Sequence, residues 1–203
     1  MKNILTIILL SPLLLFSQEE IGSYEIFGTE YKVQATEPDS KGKYTLYVDG
    51  YASDGLVSQG GLMIQSKKID DFLISLNEAK NKFIEWTATA KENNISDLSK
   101  DIKSSPPKIE GYFLYGDWNF DFSVSPYYKY LISKSEKTGK VSYCLSLYSG
   151  ELQASDNQYI DAEDFIYPFY SLEEIEIFIS LFDKQLVDDK FNSKNSKDDL
   201  FKD

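Results

Sequence analysis

The 203-residue chain has no histidine and no arginine, and its one cysteine is Cys144. Each absence closes off some chemistry. Histidine is the one side chain whose ordinary pKa lies near neutrality, so the usual general base, the Ser–His and Cys–His nucleophile pairs and the commonest metal ligand are all missing. Arginine supplies the planar fork that grips phosphate or carboxylate bidentately, and lysine does not replace it. A lone thiol forms no internal disulfide. With Tyr143, Leu145 and Leu147 around it, Cys144 reads as a small buried hydrophobe in a strand. Gly60-Gly61 lacks the spacing of a phosphate or dinucleotide loop and reads as a turn. The sequence therefore predicts no cofactor and no metal site.

Positive charge is scarce as well. The 21 basic residues face 33 acidic ones, for a formal charge of −12. Such a chain repels nucleic acid and anionic headgroups, which argues against nucleic-acid binding. The imbalance is concentrated: no basic residue lies between Lys140 and Lys184, where Glu151, Asp156, Asp161, Glu163, Asp164, Glu173, Glu174, Glu176 and Asp183 fall. The plain reading is a solvated acidic face; the functional readings are a docking surface for a basic partner or a weak calcium site.

Long apolar runs are absent except at the start. Met1-Lys2-Asn3 precedes the apolar stretch Ile4 to Phe16, then Ser17 and an acidic opening. This is the layout of a secretory signal peptide over residues 1–17. The run is shorter than the roughly 20 residues a membrane helix needs. The expected product is exported, periplasmic or extracellular, with no transmembrane segment after signal removal.

Aromatic side chains are plentiful, with 15 Tyr, 13 Phe and 2 Trp. Runs rich in Tyr, Val, Thr and Ile, separated by turn residues, predict strands at 24–27, 31–37, 44–51 and 62–65. Ile69, Phe72, Leu73, Leu76, Ala79, Phe83, Trp86 and Ala90 then recur at helical spacing, predicting an amphipathic helix over about 67–93. Residues 94–108, ending in Pro106-Pro107, read as a linker with at most a short helical turn near Asp97–Ile102. Strands resume at 111–115, 118–124, 127–133 and 141–148, with a further one or two in 159–169. Ser171-Leu172-Glu173-Glu174 is a capping box opening a second helix over about 172–187. The polar stretch 188–203 lacks a buried pattern and reads as a disordered tail.

The expected fold is α+β: a mainly antiparallel sheet of about seven to nine strands with the two helices packed on it. It forms one domain over 18–187, with possible halves 18–93 and 109–187. Ile69-x-x-Phe72-Leu73 against Ile175-x-x-Phe178-Ile179 hints at a weak internal duplication.

Two stretches supply candidate binding residues. Asp117, Asn119 and Asp121 open like an EF-hand loop, but Phe122 occupies its glycine position and Tyr128 its final glutamate. Alternation explains them better: Asp117, Asn119, Asp121 and Ser123 on a wet face, Trp118, Phe120, Phe122 and Val124 on the core. Tyr127, Tyr128 and Tyr130 must place rings on both faces of their strand, and tyrosine suits protein interfaces and sugar stacking. No catalytic residue stands out. The expectation is an exported, non-catalytic binding protein for a protein, glycan or envelope partner. The alternative is a polysaccharide hydrolase using paired carboxylates, such as Asp117 with Asp121 or Asp161 with Asp164.

Overall fold

A computed structural model describes residues 18–199 apart from 54, 56 and 105; the expected leader, 1–17, lies outside the described residues. In chain order the strands are β1 (Gln18–Ile26), β2 (Thr29–Thr36), β3 (Thr45–Asp49), β4 (Tyr51–Ala52) and β5 (Gly60–Gln65). Helix α1 (Ile69–Glu92) follows. Next come β6 (Leu98–Ile102), β7 (Ile109–Tyr115), β8 (Asp117–Val124), β9 (Tyr127–Lys134) and β10 (Val141–Tyr148). The chain continues through β11 (Leu152–Gln153), β12 (Asp161–Ala162) and β13 (Phe165–Phe169) to α2 (Leu172–Ser180) and α3 (Lys184–Asp199).

The strands form a six-stranded sheet in the order β1-β2-β3-β5-β7-β8, a five-stranded sheet in the order β4-β13-β10-β9-β6, and the ribbon β11-β12. Every pairing is antiparallel. The fold is α+β, as the alternating strand runs and helical periodicity predict. The described residues hold 13 strands and three helices, where the sequence suggests about seven to nine strands and two helices.

One core runs through both sheets. The main-chain path bends at Gly50, so that β3 lies in the large sheet and β4 edges the other. Tyr167 on β13 reaches across: its hydroxyl donates to Val48 O at 2.9 Å and accepts from Leu62 N–H at 3.1 Å. Glycine makes this approach possible, because a Cβ on Gly61 would lie 2.8 Å from the Tyr167 hydroxyl oxygen. Farther along, helices cover the smaller sheet. Phe83 and Trp86 of α1 meet the Tyr130 ring edge-on, and Phe178 of α2 packs against Tyr24, Tyr167 and Phe169. Burying rings of this size stabilises a fold by roughly 1.5–3 kcal/mol each, which explains why this aromatic-rich sequence forms its core here.

Three segments differ from the sequence reading. Within the linker 94–108, Leu98–Ile102 forms β6, paired with β9 along its whole length, rather than a helical turn. Only Ile102 of β6 is buried, so its structure derives from the backbone edge β9 offers, which side-chain pattern does not report. The helix expected over 172–187 divides instead at Leu181–Asp183: the Asp183 carboxylate accepts the Gln185 N–H and α3 begins. Helix α3 occupies most of the stretch expected to be disordered. It is held by two apolar residues, Val187 and Phe191, both buried, too few for a periodic signal. Finally, the suggested halves exchange strands: β7 and β8 complete the large sheet, while β4 joins the small one.

Candidate binding cleft

The structure scatters the residues nominated from sequence. Tyr128 and Tyr130 are wholly buried under α1, their hydroxyls 3.1 Å from Ser75 Oγ and 3.2 Å from Thr87 Oγ1. They are core residues, not binding residues, because both lie on the strand face that α1 covers. Tyr127 points the opposite way. Its ring stacks on Tyr148 at 4.9 Å and 7°, and its hydroxyl donates to Asp164 at 3.1 Å. Burial, with the Asp164 charge adding, pushes that phenol up to about 12. A sugar stacks on a free ring face, and here each tyrosine takes one face of the other.

The wet face expected of β8 forms only in part: Asp117 and Ser123 are exposed and Val124 is buried, but Asn119, Trp118 and Phe122 are reversed. Asn119 is buried and its amide donates to Asp117 O and Tyr115 O. Trp118 and Phe122 are exposed. Two causes act together. The β11 residue Leu152 covers the Asn119 side, lying where a Cβ on the neighbouring Gly111 would approach to 2.5 Å. A bulge also sets Phe122 and Ser123 opposite the single residue Glu110, which shifts the alternation. Asp121 is a staple: its carboxylate accepts Ser123 N–H at 2.8 Å and Gln153 N–H at 3.0 Å, tying β8 to β11. Asp117 remains exposed at the turn. These three do not converge on a ligand position. Among the described residues no three His, Cys, Asp or Glu side chains gather to hold a metal.

A different site emerges where the β1–β2 hairpin faces the end of β13 and the start of α2. A cleft of about 660 Å³ lies there, walled by residues 23–28 and Glu30 on one side and by Pro168, Phe169, Tyr170, Glu174 and Ile177 on the other. The hairpin turn is Phe27-Gly28, with φ of 52° and 77°. Positive φ at both central residues is the primed turn that matches strand twist, and it normally takes Asn-Gly. A bulky side chain in that conformation is strained by about 1–2 kcal/mol. Phe27 is nevertheless 65% exposed. Its ring meets Tyr51 edge-on at 5.4 Å and Tyr170 at 6.2 Å, forming an aromatic rim over the cleft.

The same hairpin sets Glu25 directly opposite Glu30, an arrangement that destabilises a ladder. Ser23 Oγ donates to Glu30 at 2.6 Å, while Lys32 on that strand is taken by Glu20 at 2.7 Å. On the other wall the predicted N-cap serine is in place, and the glutamate of the expected box reaches one residue further back than the box requires. Ser171 Oγ accepts the Glu174 N–H at 3.1 Å, and Glu174 reaches back to the Tyr170 N–H. Asp164 O accepts Ser53 N–H on the β4 side of β13, and alternation aims the backbone of Pro168 the same way. Proline has no N–H and the Tyr170 N–H is engaged, so this wall offers no backbone donor for strand pairing. Recognition here falls to side chains.

Tyr170 also lines a second concavity of about 420 Å³ with Ile84, Thr87, Lys91, Tyr143 and Leu172. Burial, then the neighbouring Cys144, pushes the Tyr170 phenol up to about 12. Cys144 itself is buried, its thiol raised by burial.

The paired-carboxylate geometry of a hydrolase does not form around Asp117 and Asp121, whose roles are given above. Burial raises the Asp49 carboxyl, but its surroundings are the Tyr112 hydroxyl, which donates to it, and Lys32, not a second acid. Glu25 and Glu30 are exposed and lack the apolar enclosure that prepares a general acid.

No protein family, curated protein or solved structure matches this chain.

Phe27 ends the strand expected over 24–27, and strand patterning alone does not mark it out. A usable signal was present: Glu25 and Glu30 lie symmetrically about Phe27-Gly28, so any two-residue hairpin there sets them face to face.

Proposed function

We propose that this is an exported, non-catalytic binding protein that holds a segment of another protein in the cleft between the β1–β2 hairpin and α2. The observation that carries this reading is Phe27. A large apolar side chain occupies a strained turn position and stays exposed, and local strain of this kind concentrates at ligand-binding sites. Tyr51, Tyr170, Leu172 and Ile177 are exposed too, and contiguous apolar surface on an otherwise strongly charged protein favours association. A protein ligand is favoured over a glycan because the Tyr127 and Tyr148 rings each give up one stacking face to the other. The leader pattern at 1–17 supports export.

Site-specific photo-crosslinking tests the assignment. A photoreactive phenylalanine at position 27 in the producing cell is expected to give one discrete protein adduct. The same group at Gln34, on the open face of the large sheet, is expected to give none. Equal labelling from both positions, or none from position 27, overturns the reading.

A further inference from the structure

Every charged side chain lining the cleft is a carboxylate: Glu25 and Glu30 from the hairpin, Glu174 from α2. No lysine lines it among the described residues. The α2 wall belongs to the stretch between Lys140 and Lys184 that has no basic residue at all. The fold therefore joins two acidic segments far apart in sequence around one aromatic rim.

Two local rules are broken within six residues. Glu25 and Glu30 repel across the ladder, and Phe27 occupies a conformation suited to asparagine or glycine. A cation between the carboxylates relieves the first, and an apolar group on Phe27 gives a use to the second. Cations also favour aromatic faces.

Building on the cleft as the binding site, we infer that its occupant is an extended basic segment of a partner protein. A lysine or arginine of that segment lies among Glu25, Glu30 and Glu174, and a neighbouring apolar residue rests on Phe27 and Tyr170. The occupant is elongated because Tyr170 belongs to both concavities, so the aromatic surface continues from the hairpin to α1; its basic residue lies on the hairpin side, since Lys91 lines the second concavity. It does not add as a strand on β13, where Pro168 removes the donor. A second copy of this chain is disfavoured by its own charge of −12.

The test uses four labelled decapeptides that alternate Leu with Lys, Leu with Ser, Leu with Glu, and Ser with Lys. Binding to residues 18–203 is followed by fluorescence anisotropy. The Leu–Lys peptide is expected to bind at least about tenfold more tightly than the other three, and to weaken as salt rises from roughly 50 to 500 mM. Phe27→Asn leaves the charge unchanged and suits the turn, and it is expected to abolish this preference for the Leu–Lys peptide. Glu25→Gln with Glu30→Gln is expected to reduce Leu–Lys binding about tenfold while sparing Leu–Ser. Phe27-dependent binding of Leu–Lys and Leu–Ser with equal affinity overturns the basic occupant but keeps the cleft. Binding of Leu–Lys that ignores Phe27→Asn, or no binding of any peptide, overturns both. The Tm of each variant is measured alongside; should Phe27→Asn unfold, Phe27→Gly takes its place.

Discussion

The Tyr167 hydroxyl accepts the Leu62 N–H at 3.1 Å, joining residues from the two different sheets in the centre of the molecule. The same oxygen donates to Val48 O at 2.9 Å, so one phenol closes two buried backbone groups of adjacent strands. Tyr167→Phe keeps the ring and its packing against Phe178 but leaves both groups without that partner. An unsatisfied buried group costs about 1–3 kcal/mol. The expected loss is in that range, read from the urea midpoint with the slope unchanged; a smaller effect would show that the sheets do not depend on this contact.

Helix α3 gives a second test, because its sequence from 188 onward reads as a disordered tail. Phe191 and Val187 are both buried, and α3 also touches β1 through Lys190 and Glu19, at 3.9 Å. Phe191→Ala is expected to cost about 3 kcal/mol, as for other buried Phe truncations. Thermal unfolding measures it. No change in Tm would show that 188–203 is dispensable.

At high pH, stability is set by buried phenols. Burial raises Tyr24, Tyr112 and Tyr167 above the ordinary value of 10.0. The folded chain holds these protons more tightly than the unfolded chain does, so their contribution is complete below about pH 10 and is lost as pH rises further. Tyrosinate absorbance is expected to develop in two stages, exposed rings first and buried rings together with loss of circular dichroism. Between pH 6 and 8 stability is expected to stay level, since the chain has no histidine.

Asp49 makes a prediction of the same sign at the acid end. Burial raises its carboxyl above 3.8, against the Tyr112 hydrogen bond and the lowering effects of Lys32. Ionisation is therefore harder in the folded state, and stability from this residue falls as pH rises through and above its ordinary value. Asp49→Asn retains an acceptor for Tyr112 and is expected to raise Tm at pH 7, with the difference shrinking toward pH 3. A lower Tm at pH 7 would show that the Lys32 attraction outweighs burial.

The legible part of the site was its charge. The absence of lysine over 141–183 and the Ser171 N-cap that places Glu174 are both local features of the sequence. Alternation shows that the strand of Tyr128 and Tyr130 has two faces without showing which one a helix will cover. For Asn119, a bulge and the distant Leu152 decide which side of β8 is closed.

The sequence alone determined the α+β class, the long helix over Ile69–Glu92 and the chemistry at hand: carboxylates, phenols and lysines without histidine or arginine. These follow from periodicity and composition, which act over a few residues. Tertiary structure alone decided that β3 and β4 belong to different sheets, that a polar tail folds on two buried side chains, and that Phe27 stands opposite Tyr170. Those outcomes depend on contacts between residues more than a hundred positions apart, whose strength comes from the surface they exclude from water together and is carried by neither segment separately.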